Sequence, residues 1–502
     1  MDQSNFIPLF VIIPLAAAFL ISLLGKFIKW FSDAAICVSS ALLLWFSVYA
    51  EIALKSSAQG VLIYKVGGWV PPFGICMVLD GLTTLMLIIV NLVSFFVALY
   101  SLKYMEQYTD KTKFFTLFSL MVCGMNGVII TGDLFNLYVF LEIASIASYA
   151  LVAFGTEAEE LEASFKYAIM GSIAASFIFI GIAFLYGFTS TLNMADMARV
   201  LSLKSQTWVI PMVTVLFLMG FGFKAALVPF HAWLPDAHPS APAPISAMLS
   251  GVLIKTLGVY ALIRIFFNIL GVTAAYLSIL MLLGAVSMIV GVILALSQWD
   301  FKRLLAYHSI SQIGYVVLGI GLGTPLGILG GLFHLFNHSI FKSLLFLNSG
   351  AVDYAAGTRD LKEMGGLAKV MPWTAKTSLI ASMSISGVPP FNGFFSKLII
   401  ILACIQKGAI AYALCAVIGS ILTLASFMKV QRYAFSGELK EKLKGIKEVP
   451  WVMRFSMVGL ALVCVLGGVM LLPHLRFILD DAVGVLLQGR NYAAVVLDAA
   501  LK

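Results

Sequence analysis

The chain has 502 residues, of which 61% are hydrophobic and 11% are charged, and its formal net charge is +8. A water-soluble domain is about a quarter charged, so this composition excludes an ordinary soluble protein and predicts a membrane protein. The basic residues fall in short loops between apolar runs, where they set orientation in a membrane and do not indicate nucleic-acid binding.

Apolar runs recur along the whole chain, and most are long enough to cross about 30 Å of hydrocarbon as a helix. The first run has no basic residue before it, which favours a full-length span over a cleavable signal peptide. Residues 59–72 predict a short extramembrane hairpin, and residues 476–502 an amphipathic surface tail. The sequence predicts an all-α polytopic fold with about fourteen spans, near 6–25, 31–51, 77–100, 113–131, 134–155, 163–188, 208–234, 242–268, 272–298, 303–323, 325–352, 373–405, 409–434 and 452–472.

The distribution of basic residues between the loops predicts the orientation. With fourteen spans, both termini lie on the same side of the membrane. The loops on the opposite side hold 19 of the 32 lysines and arginines, the loops and tails on the side of the termini hold 9, and the other four lie inside spans. Basic loops stay in the cytoplasm. We therefore expect a multi-pass protein of the cell inner (plasma) membrane with both termini on the non-cytoplasmic side.

The sequence lacks the common motifs that bind nucleotides, structural zinc or iron–sulfur clusters. It has no G-x-x-x-x-G-K-[ST] phosphate loop, and its six cysteines form no C-x-x-C pair. Gly319, Gly321 and Gly323 resemble part of a dinucleotide fingerprint, but they lie inside a span with no strand before them, which favours close helix packing. We expect no cofactor and no metal, so that energy must come from an ion gradient or from partner subunits.

Ionisable residues inside the spans are the candidate functional residues, because a charge at the bilayer centre costs at least about 2.5–3.5 kcal/mol on insertion. Glu142 lies midway along the fifth span and Lys255 midway along the eighth. Lys224 lies five residues before Pro229, which interrupts the seventh span. Broken membrane helices line ion sites, and a lysine removed from water releases its proton more readily. The alternatives are structural ion pairs or hydrogen bonds, and for Lys224 a snorkelling side chain.

The eleventh span carries His334, His338 and Lys342, spaced four residues apart. Residues at this spacing lie on one face of a helix, so they predict a polar stripe suited to carrying protons, since histidine titrates near neutral pH. Two alternatives remain: a haem or metal held by the two histidines, or histidines that only bond to neighbouring helices.

Lys397 follows a second proline break, at Pro389 and Pro390, in the twelfth span. Its alternative role is a structural ion pair. The two broken spans are five apart, which is the expected signature of two related five-helix units with corresponding sites.

Several polar residues at the span ends have secondary interest. His231, Asp236 and His238 could suggest a metal site, but a role in fixing the loop is favoured. Asp300, Lys302 and Arg303 begin the tenth span as a charged cap. We predict Asp300, Lys302 and Asp236 as candidates for a channel entrance or exit.

Three segments resemble a known family of antiporter-like subunits. They are LVPFHAWLPDAHPSAPAPISAMLSGVLIKTLGVYALIR (227–264), AYHSISQIGYVVLGIG (306–321) and FHLFNHSIFKSLLFLNSGAV (333–352). The family includes the proton-pumping membrane subunits of respiratory complex I, the D subunit of Mrp-type sodium/proton antiporters, and the matching subunits of membrane-bound hydrogenases. The resemblance runs from about the third span to the thirteenth.

The resemblance implies fourteen helices with two inverted five-helix repeats, spans 4–8 and 9–13, broken at spans 7 and 12. It implies four regions: N-terminal helices in 1–112, a first ion-translocating repeat in 113–268, a second in 269–434, and helix 14 with a surface tail in 435–502. It also implies roles for the buried residues. Glu142 would tune Lys224, the lysine that binds the transported proton, Lys255 would connect to the axis of His334 and His338, and Lys397 would lead to the outer half-channel.

Departures from the family pattern narrow the choice. Lys397 replaces the glutamate usual in the middle pump subunit of complex I, and Lys255 replaces the histidine usual in the distal one. The tail is too short for the long lateral helix of that distal subunit. Gln312 stands where the family has a histidine in the tenth span. These features favour an Mrp D-like or membrane-bound-hydrogenase-like subunit.

The sequence thus predicts a proton-translocating subunit, with sodium/proton antiport left open and no redox centre of its own. The alternative is a proton-pumping subunit of a respiratory NADH:quinone oxidoreductase, and whether the chain forms part of an enzyme is also left open. Expected partners are other membrane subunits of an Mrp-type antiporter or a redox-driven complex, the lipid bilayer, and protons or sodium. Rivals from other classes are a haem protein and a structural scaffold, and within the favoured class a free-standing permease is left open.

Overall fold

The computed structural model describes residues 4–28, 30–57, 59–204 and 208–501. Most of these residues are helical. Apart from short 3-10 turns, the helices are α1 (Leu9–Leu24), α2 (Phe31–Ser56), α3 (Gly81–Tyr104), α4 (Lys111–Ile130), α5 (Leu134–Val152), α6 (Ala158–Thr189), α7 (Met194–Leu203), α8 (Val209–Lys224), α9 (Leu234–Ser240), α10 (Ala243–Leu270), α11 (Ala274–Leu296), α12 (Phe301–Gly321), α13 (Pro325–Ala356), α14 (Pro372–Ser386), α15 (Asn392–Gln406), α16 (Ile410–Phe435), α17 (Trp451–Leu466), α18 (Phe477–Leu487) and α19 (Tyr492–Leu501).

Ten of the described helices are long and apolar enough to cross a membrane: α2 to α6, α10 to α12, α16 and α17. The prediction of an all-α, multi-span membrane protein is confirmed. The remaining predicted spans correspond to α1, the α8–α9 segment, α13 and the α14–α15 segment. Helices α1, α8 and α15 are short apolar helices, and α13 carries the polar stripe.

Aspartate side chains begin several of the membrane helices. Asp80, Asp133 and Asp300 each accept a hydrogen bond from a backbone N–H three residues later, at O···N distances of 2.9, 2.8 and 2.7 Å. Such caps satisfy N–H groups that have no partner within the helix. The predicted position of Asp300 at the start of the tenth span is confirmed.

Both predicted helix breaks are present. Helix α8 ends at Lys224 and α9 begins at Leu234, with Pro229 in the intervening turns. In the twelfth predicted span, α14 ends at Ser386 and α15 begins at Asn392. Proline removes a backbone donor and clashes with the preceding turn, so the sequence itself dictates these interruptions.

The predicted hairpin is a two-stranded antiparallel sheet. Strand β1 (Leu62–Lys65) pairs with β2 (Cys76–Leu79), with Leu62 opposite Leu79 and Lys65 opposite Cys76. The second strand lies beyond the predicted range, because Pro71 and Pro72 cannot donate to a ladder and therefore occupy the connection.

The centre of the bundle is formed by α10, α12 and α13. Every residue of α10 is buried, as are residues 327–352 of α13. Much of α10 is π-helical, at Leu249–Tyr260 and Arg264–Leu270. The outer helices instead expose large apolar side chains such as Phe165 and Ile421. Polar groups therefore face inward and apolar groups face the surroundings, which is the arrangement expected in lipid.

Glycines allow the central helices to approach closely. A Cβ atom added to Gly319 would lie 3.0 Å from the Gly327 carbonyl oxygen and from the Gly331 Cα atom. The prediction that Gly319 serves helix packing is therefore confirmed, with α12 lying directly against α13 at this point.

The C-terminal helices cover a buried ion pair. Arg264 on α10 faces Asp80, with Nη1 2.8 Å from Oδ2 and Nη2 2.9 Å from Oδ1. The Tyr492 ring, at the start of α19, lies 5.1 Å from the guanidinium carbon, and the Asn268 side chain donates to the Val485 carbonyl oxygen at 2.8 Å. The tail is thus docked on the ends of α3 and α10.

We predict that Arg264→Gln destabilises the protein by about 3–5 kcal/mol, because it leaves the Asp80 carboxylate buried without its cation. The check is the apparent unfolding temperature in mild detergent. The matched control is Arg476→Gln, which removes an exposed ion pair with Asp480 and should have an effect within about 0.5 kcal/mol. Equal losses in the two variants would contradict the structural role of the buried pair.

Candidate ion-translocation site

Glu142 and Lys224 form an ion pair between α5 and the end of α8. The Lys224 Nζ atom lies 3.8 Å from Glu142 Oε1, and it donates hydrogen bonds to Ser145 Oγ at 2.8 Å and Tyr149 OH at 3.3 Å. The lysine side chain is 2% exposed and the glutamate side chain 25% exposed. The pair is therefore long and without a direct hydrogen bond, and the ammonium is held by neutral oxygens.

Lys255 lies on the π-helical part of α10, and its ammonium donates to the Ser250 carbonyl oxygen five residues earlier. One turn away, Gly258 packs against the backbone of Ala225, the residue after Lys224. The two lysines therefore lie on elements in direct contact.

His334 is held by two neighbouring helices. Its Nδ1 atom lies 2.9 Å from Ser396 Oγ on α15, and its Nε2 atom lies 3.1 Å from Gln312 Oε1 on α12. With both ring nitrogens engaged, His334 is not placed to ligate a haem or metal together with His338.

His338 and Lys342 continue the predicted stripe along α13. The His334 and His338 ring centroids are 6.3 Å apart. Neither the His338 ring nitrogens nor the Lys342 ammonium have a hydrogen-bond partner among the described residues, and all are buried. Buried polar groups are normally satisfied, so this part of the stripe has the polarity and the unmet hydrogen-bonding capacity of a hydrated or proton-carrying segment.

Lys397 lies beside the second break. Its ammonium donates to the Ile385 carbonyl oxygen at 2.8 Å and to Ser420 Oγ at 3.4 Å. Ile385 belongs to the last turn of α14, where carbonyl groups lack helical partners and carry partial negative charge. A cavity of about 280 Å³, lined in part by Gly387, Phe394 and Ser420, reaches this lysine.

The predicted entrance residues occupy different surroundings. Lys302 is buried and donates to the Ala241 carbonyl oxygen at 3.0 Å. With Asp300 it lines a cavity of about 790 Å³, which we call the acidic vestibule. Asp236 lies outside it, paired with Arg303 at 3.2 Å and Lys166 at 3.6 Å. The carboxylates that line the vestibule are Glu157, Glu159, Glu160, Asp300, Asp353 and Asp360.

Tyr108 lines the same vestibule from the loop after α3. Burial, with a smaller contribution from the Glu160 charge, raises the pKa of its phenol to about 12. The phenol therefore stays neutral at physiological pH, and the negative charge of the vestibule comes from its carboxylates.

The structure reveals two histidines whose burial the sequence did not predict. His308 on α12 lies within the bundle, with Nε2 2.8 Å from Ser426 Oγ. His238 on α9 is also fully buried, although its sequence position indicated a loop near the membrane edge. The signal for His308 was its place in an apolar span, four residues before Gln312.

A helical membrane protein with two broken helices and buried ionisable groups beside each break has the architecture of an ion-translocating membrane protein. Family comparison defines it further. Residues 131–423 match the model described as "NADH:quinone oxidoreductase/Mrp antiporter, TM", and residues 69–115 match "NADH-Ubiquinone oxidoreductase (complex I), chain 5 N-terminus". The chain belongs to this family of antiporter-like membrane subunits, which confirms the resemblance found in the sequence.

Individual relatives and solved structures are similar to this chain along most of its length. The chain is 38% identical to the D subunit of the Na(+)/H(+) antiporter of Alkalihalophilus pseudofirmus, over 86% of this chain and 87% of the relative. It superimposes on a chain of the Mrp complex from Dietzia sp. DQ12-45-1b with a TM-score of 0.89 and 28% identity, covering 100% of both chains. It also superimposes on a chain of the membrane-bound sulfane sulfur reductase, an archaeal respiratory complex, with a TM-score of 0.90 and 31% identity, covering 98% and 100%.

We predict that Lys342→Met leaves the apparent unfolding temperature unchanged or raises it, because the substitution removes a buried amine without a bonding partner in the described structure. The matched control is Lys429→Met, whose lysine donates to two carbonyl oxygens, those of Leu296 and Gln298. The control should lose stability, since hydrogen bonds from charged groups contribute about 1.5–3 kcal/mol each. A larger loss in Lys342→Met than in the control would assign Lys342 a structural role.

Proposed function

We propose that this chain is a proton-translocating membrane subunit of a multisubunit complex, similar to the D subunit of an Mrp-type sodium/proton antiporter or to the antiporter-like subunit of a membrane-bound hydrogenase. The observation that carries the proposal is the Glu142–Lys224 pair at the first helix break, where the two groups lie 3.8 Å apart without a hydrogen bond between them. A pair of this kind responds to small displacements of either partner.

The proposed switch is electrostatic. At an effective dielectric constant of about 20, two charges about 4 Å apart interact by about 4 kcal/mol. Movement of Glu142 toward Lys224 therefore stabilises the ammonium, and movement away favours release of the proton. Ser145 and Tyr149 keep the lysine in place in both states, since they bond to its nitrogen and not to the carboxylate.

The proposed path runs from Lys224 through Lys255 and the stripe of His334, His338 and Lys342 to Lys397. Close packing of α10 on α13 supports the central step, since Ser343 Oγ lies 3.2 Å from the Ala247 carbonyl oxygen. His334 reaches α15 through Ser396, one residue before Lys397. The cavity beside Lys397 would then form the outer half-channel. Gln312, which bonds to His334, takes the position of a histidine in the family pattern.

The broken helices also support the finer architecture. We propose fourteen spans, with two inverted five-helix repeats in 113–268 and 269–434, N-terminal helices in 1–112, and helix 14 with its tail in 435–502. In this arrangement Lys224 and Lys397 each mark the break of one repeat. Both lysines are buried. Lys224 is the last residue of α8 and donates to Ser145 Oγ on α5, and Lys397 donates to the carbonyl oxygen of Ile385 in the last turn of α14.

The part of α5 that bears Glu142 supports a partner subunit. Val139 and Ile146, each about one turn from Glu142, are 39% and 62% exposed. A carboxylate that is one quarter exposed midway along a membrane helix is unfavourable against lipid. We therefore propose that another membrane subunit covers this face. The two solved structures described above come from multisubunit complexes.

The second candidate is a proton-pumping subunit of a respiratory NADH:quinone oxidoreductase. It is favoured by the match of residues 69–115 to a complex I chain. The two candidates share the same path and differ in the partner subunits and in the source of energy.

We predict that Lys224→Ala and Glu142→Ala each abolish proton transport while the complex still assembles. Transport is measured in membrane vesicles with a pH-sensitive dye, and assembly by mass spectrometry of the subunits that copurify with the tagged chain. The control is Lys103→Ala with Glu106→Ala, an exposed pair at 2.8 Å. Wild-type transport in both test variants would refute the proposal, and copurified iron–sulfur or hydrogenase-like subunits would indicate a redox-driven complex.

The proposed orientation places both termini outside the cytoplasm of the plasma membrane. We therefore expect an impermeant maleimide to label Gln488→Cys, but not Glu438→Cys, in right-side-out vesicles. Both positions are exposed and lie on opposite predicted faces. The unsubstituted chain measures the background from the six native cysteines, and the reverse labelling pattern would overturn the orientation.

A further inference from the structure

His238 is a buried titratable group without a role in the path above. It lies on α9, just after the first helix break, and its side chain is fully buried. Neither of its ring nitrogens has a hydrogen-bond partner in the described ranges. An unsatisfied buried imidazole is unusual, and it has one nitrogen that can accept a proton and one that can donate it.

A single aromatic ring connects His238 with the polar stripe of α13. The His238 and Phe346 rings are stacked, with centroids 4.6 Å apart and an angle of 27° between their planes. The Lys342 Nζ atom lies 5.5 Å from the centroid of the same ring. Phe346 therefore lies against both the histidine and the lysine.

The acidic vestibule lies beside the segment that follows His238. Pro239, Ser240 and Ala241, the three residues that follow His238, form part of the vestibule wall. Six carboxylates line the cavity, against the basic residues Lys302 and Arg359, so it concentrates protons and other cations. The cavity thus reaches the backbone directly beside the buried imidazole.

We propose that His238 transfers protons between the acidic vestibule and Lys342, and that the Phe346 ring gates this transfer. The proposal rests on the proposed function and adds an entrance to the path. A proton from vestibule water binds the free nitrogen of the neutral imidazole, and the imidazolium passes a proton to the neutral amine of Lys342. No bond other than those to the proton forms or breaks.

The positive charges around His238 destabilise a protonated imidazole, so a proton bound there is readily passed on. Those that act on it are Lys302 from α12, Lys342 from α13 and Lys255 from α10. Each is positive when protonated, so an imidazolium at this place is repelled from three directions. A proton that enters therefore moves on as soon as Lys342 is neutral and the ring allows contact.

The test uses membrane vesicles that contain the full chain with its copurifying subunits. Passive proton flux after an acid jump is followed with a pH dye inside the vesicles. Phe346→Ala should raise this flux at least about tenfold, equal to about 1.4 kcal/mol of barrier, because the gate is removed. Adding His238→Gln to Phe346→Ala should return the flux to the wild-type level, since glutamine fills the site but does not carry a proton.

The second readout is active proton transport by the complex, measured in the same vesicles. His238→Gln alone should reduce it at least about tenfold, whereas His231→Gln, a half-buried histidine in the same segment, should leave it unchanged. If Phe346→Ala does not assemble, Phe346→Leu, which keeps an apolar side chain, replaces it in the passive-flux assay. Its proton leak should be smaller than that expected for Phe346→Ala.

A leak that survives His238→Gln, or no leak in either Phe346 variant, would overturn the proposal. So would wild-type driven transport in His238→Gln. If Lys224→Ala abolishes transport and His238→Gln does not, the entrance through His238 is refuted, whereas the proposed path that begins at Lys224 is still supported.

Discussion

The cost of removing an ammonium group from water organises the interior of this protein. Five of the described lysines are buried, and for three of them an irregular part of the backbone provides the acceptor. The end of α14 provides the Ile385 carbonyl oxygen for Lys397, the π-helical part of α10 provides that of Ser250 for Lys255, and the turn after α9 provides that of Ala241 for Lys302. A regular α-helix has no free carbonyl in its interior, so the breaks and the buried charges depend on each other. The five lysines are Lys224, Lys255, Lys302, Lys342 and Lys397.

Two kinds of buried charge coexist in the fold, and they have different surroundings. Arg264 is matched by Asp80 in a two-pronged contact and enclosed by aromatic rings and the C-terminal helices. Among the described lysines of the proposed path, only Lys224 has a carboxylate close to it. This carboxylate belongs to Glu142, which is partly exposed at the surface of the helix bundle. Matched pairs of the first kind fix the positions of helices. Incompletely matched groups of the second kind can change protonation with little rearrangement of the fold, which suits a transport path.

Much of this architecture could be predicted from particular residues. Pro229 and Pro389 dictate the two helix breaks, and the four-residue spacing of His334, His338 and Lys342 dictates their common face. The hydrogen bonds of His334 to Gln312 and Ser396 could not be predicted, because they depend on how α12 and α15 pack on α13. The same holds for His238: its segment is rich in proline and reads as a loop, and only tertiary packing places its ring against Phe346. The π-helical form of α10 also left no local signal, since its composition is that of an ordinary apolar helix.

The chemistry of the central stripe has a consequence for ion selectivity. Alkali and alkaline-earth cations are bound by oxygen ligands, usually several at once. The titratable groups of the stripe are the nitrogens of lysine and histidine, and the rings of Tyr315, Phe341 and Phe346 lie beside them. Such a row offers a sodium ion repulsion and few replacements for its hydration shell, whereas a proton can be handed from one nitrogen to the next. In the proposed path this stripe would therefore select protons over sodium, and an exchanger built around it would need a separate, oxygen-lined route for sodium.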